Sequence, residues 1–110
     1  MIEARVPITE EALAQFCRRW SIRELALFGS GLRDDFGPRS DIDLLVTFKD
    51  GAAWGLLAHI QMQQELEELL GRPVDLISRK ALEHSANWIR RSEILSTARR
   101  IYIDELPHAA

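Results

Sequence analysis

The sequence predicts an α/β domain built on three or four strands flanked by helices, and three stretches carry that expectation. Glu24 to Phe28 is a short, mostly apolar run that stops at Gly29. Asp41 to Phe48 sets Ile42, Leu44 and Val46 against Asp41, Asp43 and Leu45, the two-residue alternation of a strand. Met62, Leu66, Leu69 and Leu70 recur at helical spacing opposite Gln61, Gln64 and Glu68.

Taken in order, Thr9 reads as an N-cap, with Glu10 and Glu11 in the first turn where the helix dipole favours acids. That helix should run to about Trp20, with Leu13, Phe16 and Trp20 on one face. A buried strand over Glu24–Phe28 breaks at Gly29-Ser30-Gly31, and a short helix over Leu32–Phe36 closes on the Gly37-Pro38 turn. The strand over Asp41–Phe48 ends before an Asp50-Gly51 turn. A helix then spans Trp54 to Leu70; Gly71 stops it and Pro73 prevents its continuation. Val74 to Ile77 is a third strand. Trp88, Ile89, Leu95 and Ala98 fit a last helix from about Ala86 to Tyr102, with Ile101-Tyr102-Ile103 as an alternative strand. Leu106 to Ala110 reads as a frayed tail. With no repeat or linker, residues 1–110 are expected to form a single domain.

Composition narrows the function. Fourteen Lys and Arg against 17 Asp and Glu give a formal charge of −3, which argues against a protein that grips nucleic acid by bulk positive charge. The pairs Arg18-Arg19, Arg90-Arg91 and Arg99-Arg100 read as solvated helix faces. A single cysteine, Cys17, leaves no internal disulfide, and His59, His84 and His108 are too dispersed for a zinc site with it. The longest apolar stretch, Ala52 to Ile60, is far short of the roughly 20 residues of a membrane span. No secretory signal is visible at the N-terminus, so a cytoplasmic location is expected.

Three features carry chemistry. Asp41 and Asp43 stand two apart on a strand, so both carboxylates should project from one side, where they repel unless a cation lies between them. Hard oxygen ligands on an apolar strand suit Mg²⁺ or Mn²⁺. Gly29-Ser30 ends a strand just before a short helix; there glycine admits a phosphate to the backbone and the serine hydroxyl can donate to it. Asp75 is a carboxylate on an otherwise apolar strand. Each feature alone also reads as ordinary structure: a strand start, a capped turn, a solvent-facing acid. Joined, they are what two-metal phosphoryl or nucleotidyl transfer needs, three anionic ligands beside a phosphate cradle.

Gly29-Ser30, the ten residues Gly31 to Ser40, and Asp41-Ile42-Asp43-Leu44-Leu45-Val46 resemble the signature of the polymerase-beta-type nucleotidyltransferase superfamily. The short chain resembles its minimal nucleotidyltransferase (MNT) branch, and Arg33, Ser40 and Val74-Asp75-Leu76-Ile77 match that pattern. Trp88 to Leu95 and the Tyr102 region resemble the helix with which many members end. The sequence departs at Gly31-Leu32, where the family often carries a basic residue and a small one. The resemblance implies a palm-like fold, a small mixed β-sheet of three to four strands flanked by helices. It also implies ATP as substrate and two Mg²⁺ ions on Asp41, Asp43 and Asp75, the catalytic carboxylates. Gly29, Ser30, Arg33 and Ser40 would hold the nucleotide.

The branch resembles antitoxins paired with HEPN-domain ribonuclease toxins, which transfer AMP from ATP onto a toxin tyrosine. One helix after Asp75 leaves little chain to enclose a small acceptor, so a partner HEPN protein is the expected acceptor, with no direct nucleic acid and no membrane. A stand-alone enzyme on a small molecule and a catalytically silent antitoxin are the alternatives. Trp54, Trp88 and Tyr102 are candidates for either core or partner interface.

Overall fold

In the computed structural model, which describes residues 8–29, 41–52 and 54–104, the elements follow in the order α1 (Glu10–Arg19), β1 (Ile22–Phe28), β2 (Ile42–Phe48), α2 (Leu56–Leu70), β3 (Val74–Ser78), α3 (Arg79–Glu83), α4 (Trp88–Thr97) and β4 (Arg99–Ile103). The helix expected over Leu32–Phe36, the Gly37-Pro38 turn and the tail lie outside the described residues. The Thr9 hydroxyl accepts from the Ala12 N–H at 3.1 Å, so α1 starts where its cap dictates. Gly71 closes α2 in the left-handed region (φ 69°), its N–H donating to the Glu67 carbonyl at 2.8 Å.

The four strands form one mixed sheet in the order β3-β2-β1-β4. β1 runs antiparallel to both β2 and β4, while β2 and β3 are parallel and joined by α2 as the crossover that a parallel pair requires. On one face Leu25, Leu27, Ile42, Leu44, Val46 and Leu76 pack against α1 and α2 through Leu13, Phe16, Cys17, Met62, Leu66 and Leu70. On the other, among the described residues, Ala26, Phe28 and Leu45 pack with Leu82 of α3 and Ile94 of α4, with Ile77 and Ala98 at the margin.

Several boundaries differ from expectation. β1 begins at Ile22, which is fully buried, because Ser21 turns the chain in the left-handed region (φ 55°) directly before it. Gly55 takes the cap position of α2, so the helix starts at Leu56 and not at Trp54. Leu69 is exposed; Met62, Leu66 and Leu70, spaced by four, hold the helix to the sheet. The single last helix over Ala86–Tyr102 is not formed. Ser78 caps a short α3 by accepting from Ala81 N–H, and Asn87 caps α4 by accepting from Arg90 N–H. At Ala98 the backbone turns extended (ψ 136°), and Ile101-Tyr102-Ile103 pair with β1 as the strand alternative anticipated.

Cys17 lies fully buried between α1 and the sheet. Burial pushes its thiol up from the ordinary 9.0 to about 12, against the pull of Arg18 and Lys49. The folded value is raised, so the neutral thiol's contribution to stability is complete below about 9 and is lost as pH rises toward about 12. The native thiol should therefore resist an aromatic disulfide reagent at pH 8 and react at the rate of unfolding. Rapid native labelling would contradict the placement.

Candidate functional site

Two of the three predicted carboxylates meet at the start of the parallel pair. β2 and β3 are in register with Asp43 opposite Asp75, and alternation puts both on the face that carries Leu45 and Ile77. On the other side of Asp43, β1 presents Phe28 directly opposite. The row therefore reads Asp75, Asp43, Phe28 across three strands, with Asp43 half-buried and Asp75 exposed. Like charges directly opposite each other are destabilising in a sheet. Asp41 is exposed and stands one residue before β2, outside the ladder.

Gly29 follows the row. Its backbone is left-handed (φ 65°), and a Cβ built there would lie 2.5 Å from Asp43 Oδ2. Glycine is thus required by the carboxylate that approaches it as well as by its backbone angle. The expected role at this position was phosphate approach; the neighbour the structure supplies is Asp43. Ser30, Arg33 and Ser40 lie outside the described residues.

Among the described residues no group of three His, Cys, Asp or Glu side chains converges on one point where a metal could sit. A pair of carboxylates nonetheless fits a hard cation: Mg²⁺ is usually bound by one or two carboxylates with substrate phosphates and water completing its shell. Adjacent register positions place two such donors on one face of the sheet.

The edge beyond Asp75 is covered by α2. Glu67 Oε2 accepts from the Val74 N–H at 3.0 Å, and Gln63 Oε1 accepts from the Leu76 N–H at 3.3 Å. His59 Nε2 lies 2.7 Å from the Leu76 carbonyl and serves as its donor. These three polar residues were not singled out in the sequence; their signal is a spacing of four along an otherwise amphipathic helix.

The aromatic candidates separate by exposure. Tyr102 lies on β4, half-buried against the main core, and its phenol is raised by burial first, then by Cys17 and Asp104. Trp54 packs edge-on against Trp20 (5.2 Å between centroids), and its Nε1 donates to the Trp20 carbonyl at 2.8 Å. Trp88 at the start of α4 is 63% exposed, so its ring contributes little to the core. Among the described residues no helix is long and apolar enough to cross a membrane.

Comparison with known proteins bears on the fold and the family. The protein adenylyltransferase MntA of Thermococcus cleftensis is 38% identical over 65 residues, 59% of this chain and 64% of that protein. The chain thus matches just under two thirds of that relative's length. A solved toxin–antitoxin structure with AMP-PNP superposes with a TM-score of 0.67 at 21% identity, covering 89% of this chain and 76% of that one. A chain of the solved complex of tri-AMPylated Shewanella oneidensis HEPN toxin with MNT antitoxin matches with a TM-score of 0.58 at 20% identity, covering 87% of this chain and 71% of that one. At those identities the two structures speak for the fold. A nucleotidyltransferase domain model matches residues 9–101. With the β1–Gly29 turn, Asp43 and Asp75 all inside that span, the chain belongs to the nucleotidyltransferase domain family.

Proposed function

We propose that this chain, as one domain over residues 1–110, transfers AMP from ATP to a tyrosine hydroxyl of a HEPN-family ribonuclease toxin in the cytoplasm and silences it. The observation that carries the reading is Asp43 opposite Asp75 beside Gly29, a carboxylate pair on one sheet face at the end of a glycine turn. The adenylyltransferase relative and the toxin–antitoxin folds support the same reading.

In this reading Asp41, Asp43 and Asp75 hold two Mg²⁺ ions, and Gly29, Ser30, Arg33 and Ser40 hold the nucleotide. Bound Mg²⁺ would neutralise the triphosphate and polarise the attacking and leaving oxygens. The tyrosine oxygen bonds to the α-phosphorus, the bond to the β-phosphate oxygen breaks, and pyrophosphate leaves. Asp75, exposed at the sheet edge, takes the proton from the tyrosine hydroxyl. A phenol has an ordinary pKa of about 10, so it needs less help than an aliphatic alcohol. The half-buried Asp43 anchors the nucleotide end of the site.

The test co-produces this chain with the product of its neighbouring gene and reads the intact mass of both after incubation with ATP and Mg²⁺; a HEPN-type neighbour is the expected acceptor. The toxin is expected to gain whole AMP residues on tyrosine. Asp75→Asn should keep ATP affinity and lose transfer, a fall in kcat more than in affinity. A complex that forms while the toxin mass stays unchanged would replace this reading with neutralisation by binding alone.

A further inference from the structure

β3 is a five-residue edge strand, and Asp75 is its second residue. Edge strands leave a row of N–H and C=O groups without strand partners, and short ones fray. Here three groups of that outer row are taken by side chains of a single helix. Glu67 holds the Val74 N–H and Gln63 holds the Leu76 N–H, the two amides on either side of Asp75, and His59 holds the Leu76 carbonyl. The three are four residues apart and so lie along one line of α2. Met62, Leu66 and Leu70 lock that helix onto the sheet, so the ladder hangs from a rigid support.

We infer that Glu67 and Gln63 are positioning residues for nucleotidyl transfer, clamping the backbone on both sides of Asp75 so that its carboxylate stays opposite Asp43. The inference rests on the proposed role of Asp75. It also assigns the polar line of α2 a task that edge protection alone does not require. Holding the edge needs any set of partners; holding Asp75 needs partners at Val74 and Leu76.

The experiment compares Glu67→Leu/Gln63→Leu with Glu67→Gln/Gln63→Glu, which keeps a carbonyl or carboxylate oxygen at each position. It reads single-turnover transfer to the HEPN protein, ATP affinity, melting temperature, and amide hydrogen exchange at Val74 and Leu76. The leucine pair should speed exchange at both amides and slow transfer by about tenfold to a hundredfold, the size of a small misplacement. ATP affinity should change by less than about twofold, and the oxygen-retaining pair should recover most of the rate. In an Asp75→Asn background the leucine pair should slow transfer no further. Should the leucine pair unfold, Gln63→Leu alone, which loses the longer bond, gives the same comparison. Wild-type transfer by the leucine variants, or an equal extra loss in the Asp75→Asn background, overturns the inference alone. Asp75→Asn transferring at the wild-type rate overturns the reading beneath it, and the inference falls with it.

Discussion

Asp43→Asn is expected to abolish the proposed AMP transfer while leaving the domain folded. Asp43 stands opposite Asp75 across the parallel pair and opposite Phe28 across the antiparallel pair, and its carboxylate approaches the Gly29 turn. Asparagine keeps its size and removes its charge. A neutral amide cannot balance a divalent cation, so the loss should be on the order of a thousandfold, about 4 kcal/mol of transition-state stabilisation. Stability should change by less than about 1 kcal/mol, because asparagine keeps the size of the half-buried side chain while Phe28 and the core beneath keep their packing. Single-turnover labelling and a thermal melt on the same preparation test both halves. Transfer at the wild-type rate would remove Asp43 from the mechanism.

Gly29→Ala should cost both stability and rate, for two separable reasons. The left-handed backbone at φ 65° charges a residue with a Cβ roughly 1–2 kcal/mol. The new methyl would also lie 2.5 Å from Asp43 Oδ2, a distance no relaxed structure keeps, so the carboxylate must swing away. A displacement of about 1 Å at a reacting group can cost a hundredfold in rate. The variant is therefore expected to melt early and to transfer at least about tenfold slower even well below its melting temperature. Measuring the rate at several temperatures separates the two effects. A Gly29→Ala protein that is merely less stable, with full transfer while folded, would make the glycine a turn residue and nothing more.

The parts of the molecule visible in the sequence are those written in local periodicity. α1 is set by Thr9 and two acids, β2 by strict alternation, and α2 by Met62, Leu66 and Leu70. At the end of the chain the sequence leaves Ile101-Tyr102-Ile103 open between helix and strand, because only pairing with β1, far away in the chain, makes it a strand. α3 has five residues, too few for any period to register. The site follows the same division. The Asp-x-Asp spacing and the lone acid on an apolar strand are local facts. That Asp43 is the member facing Asp75, and that Gly29 is glycine because Asp43 approaches it, are facts of register between strands. The side chains of α2 that hold β3 were invisible for that same reason.

Among the described residues the two faces of the sheet are covered unequally, and the thinner layer should open first. α1 and α2 bury a continuous apolar layer against one side. On the side of Asp43 and Asp75, α4 contributes one buried residue, Ile94, while Trp88, Ile89 and Leu95 point outward. Layers with so little buried surface detach at a free energy well below global unfolding. In native-state hydrogen exchange the amides of α4 should follow a low-energy opening, and those of α1 and α2 the global one; equal protection would contradict this. Among the described residues, the helical layer on the face of Asp43 and Asp75 is thus the one that lifts most easily, and its opening leaves intact the sheet that fixes both carboxylates.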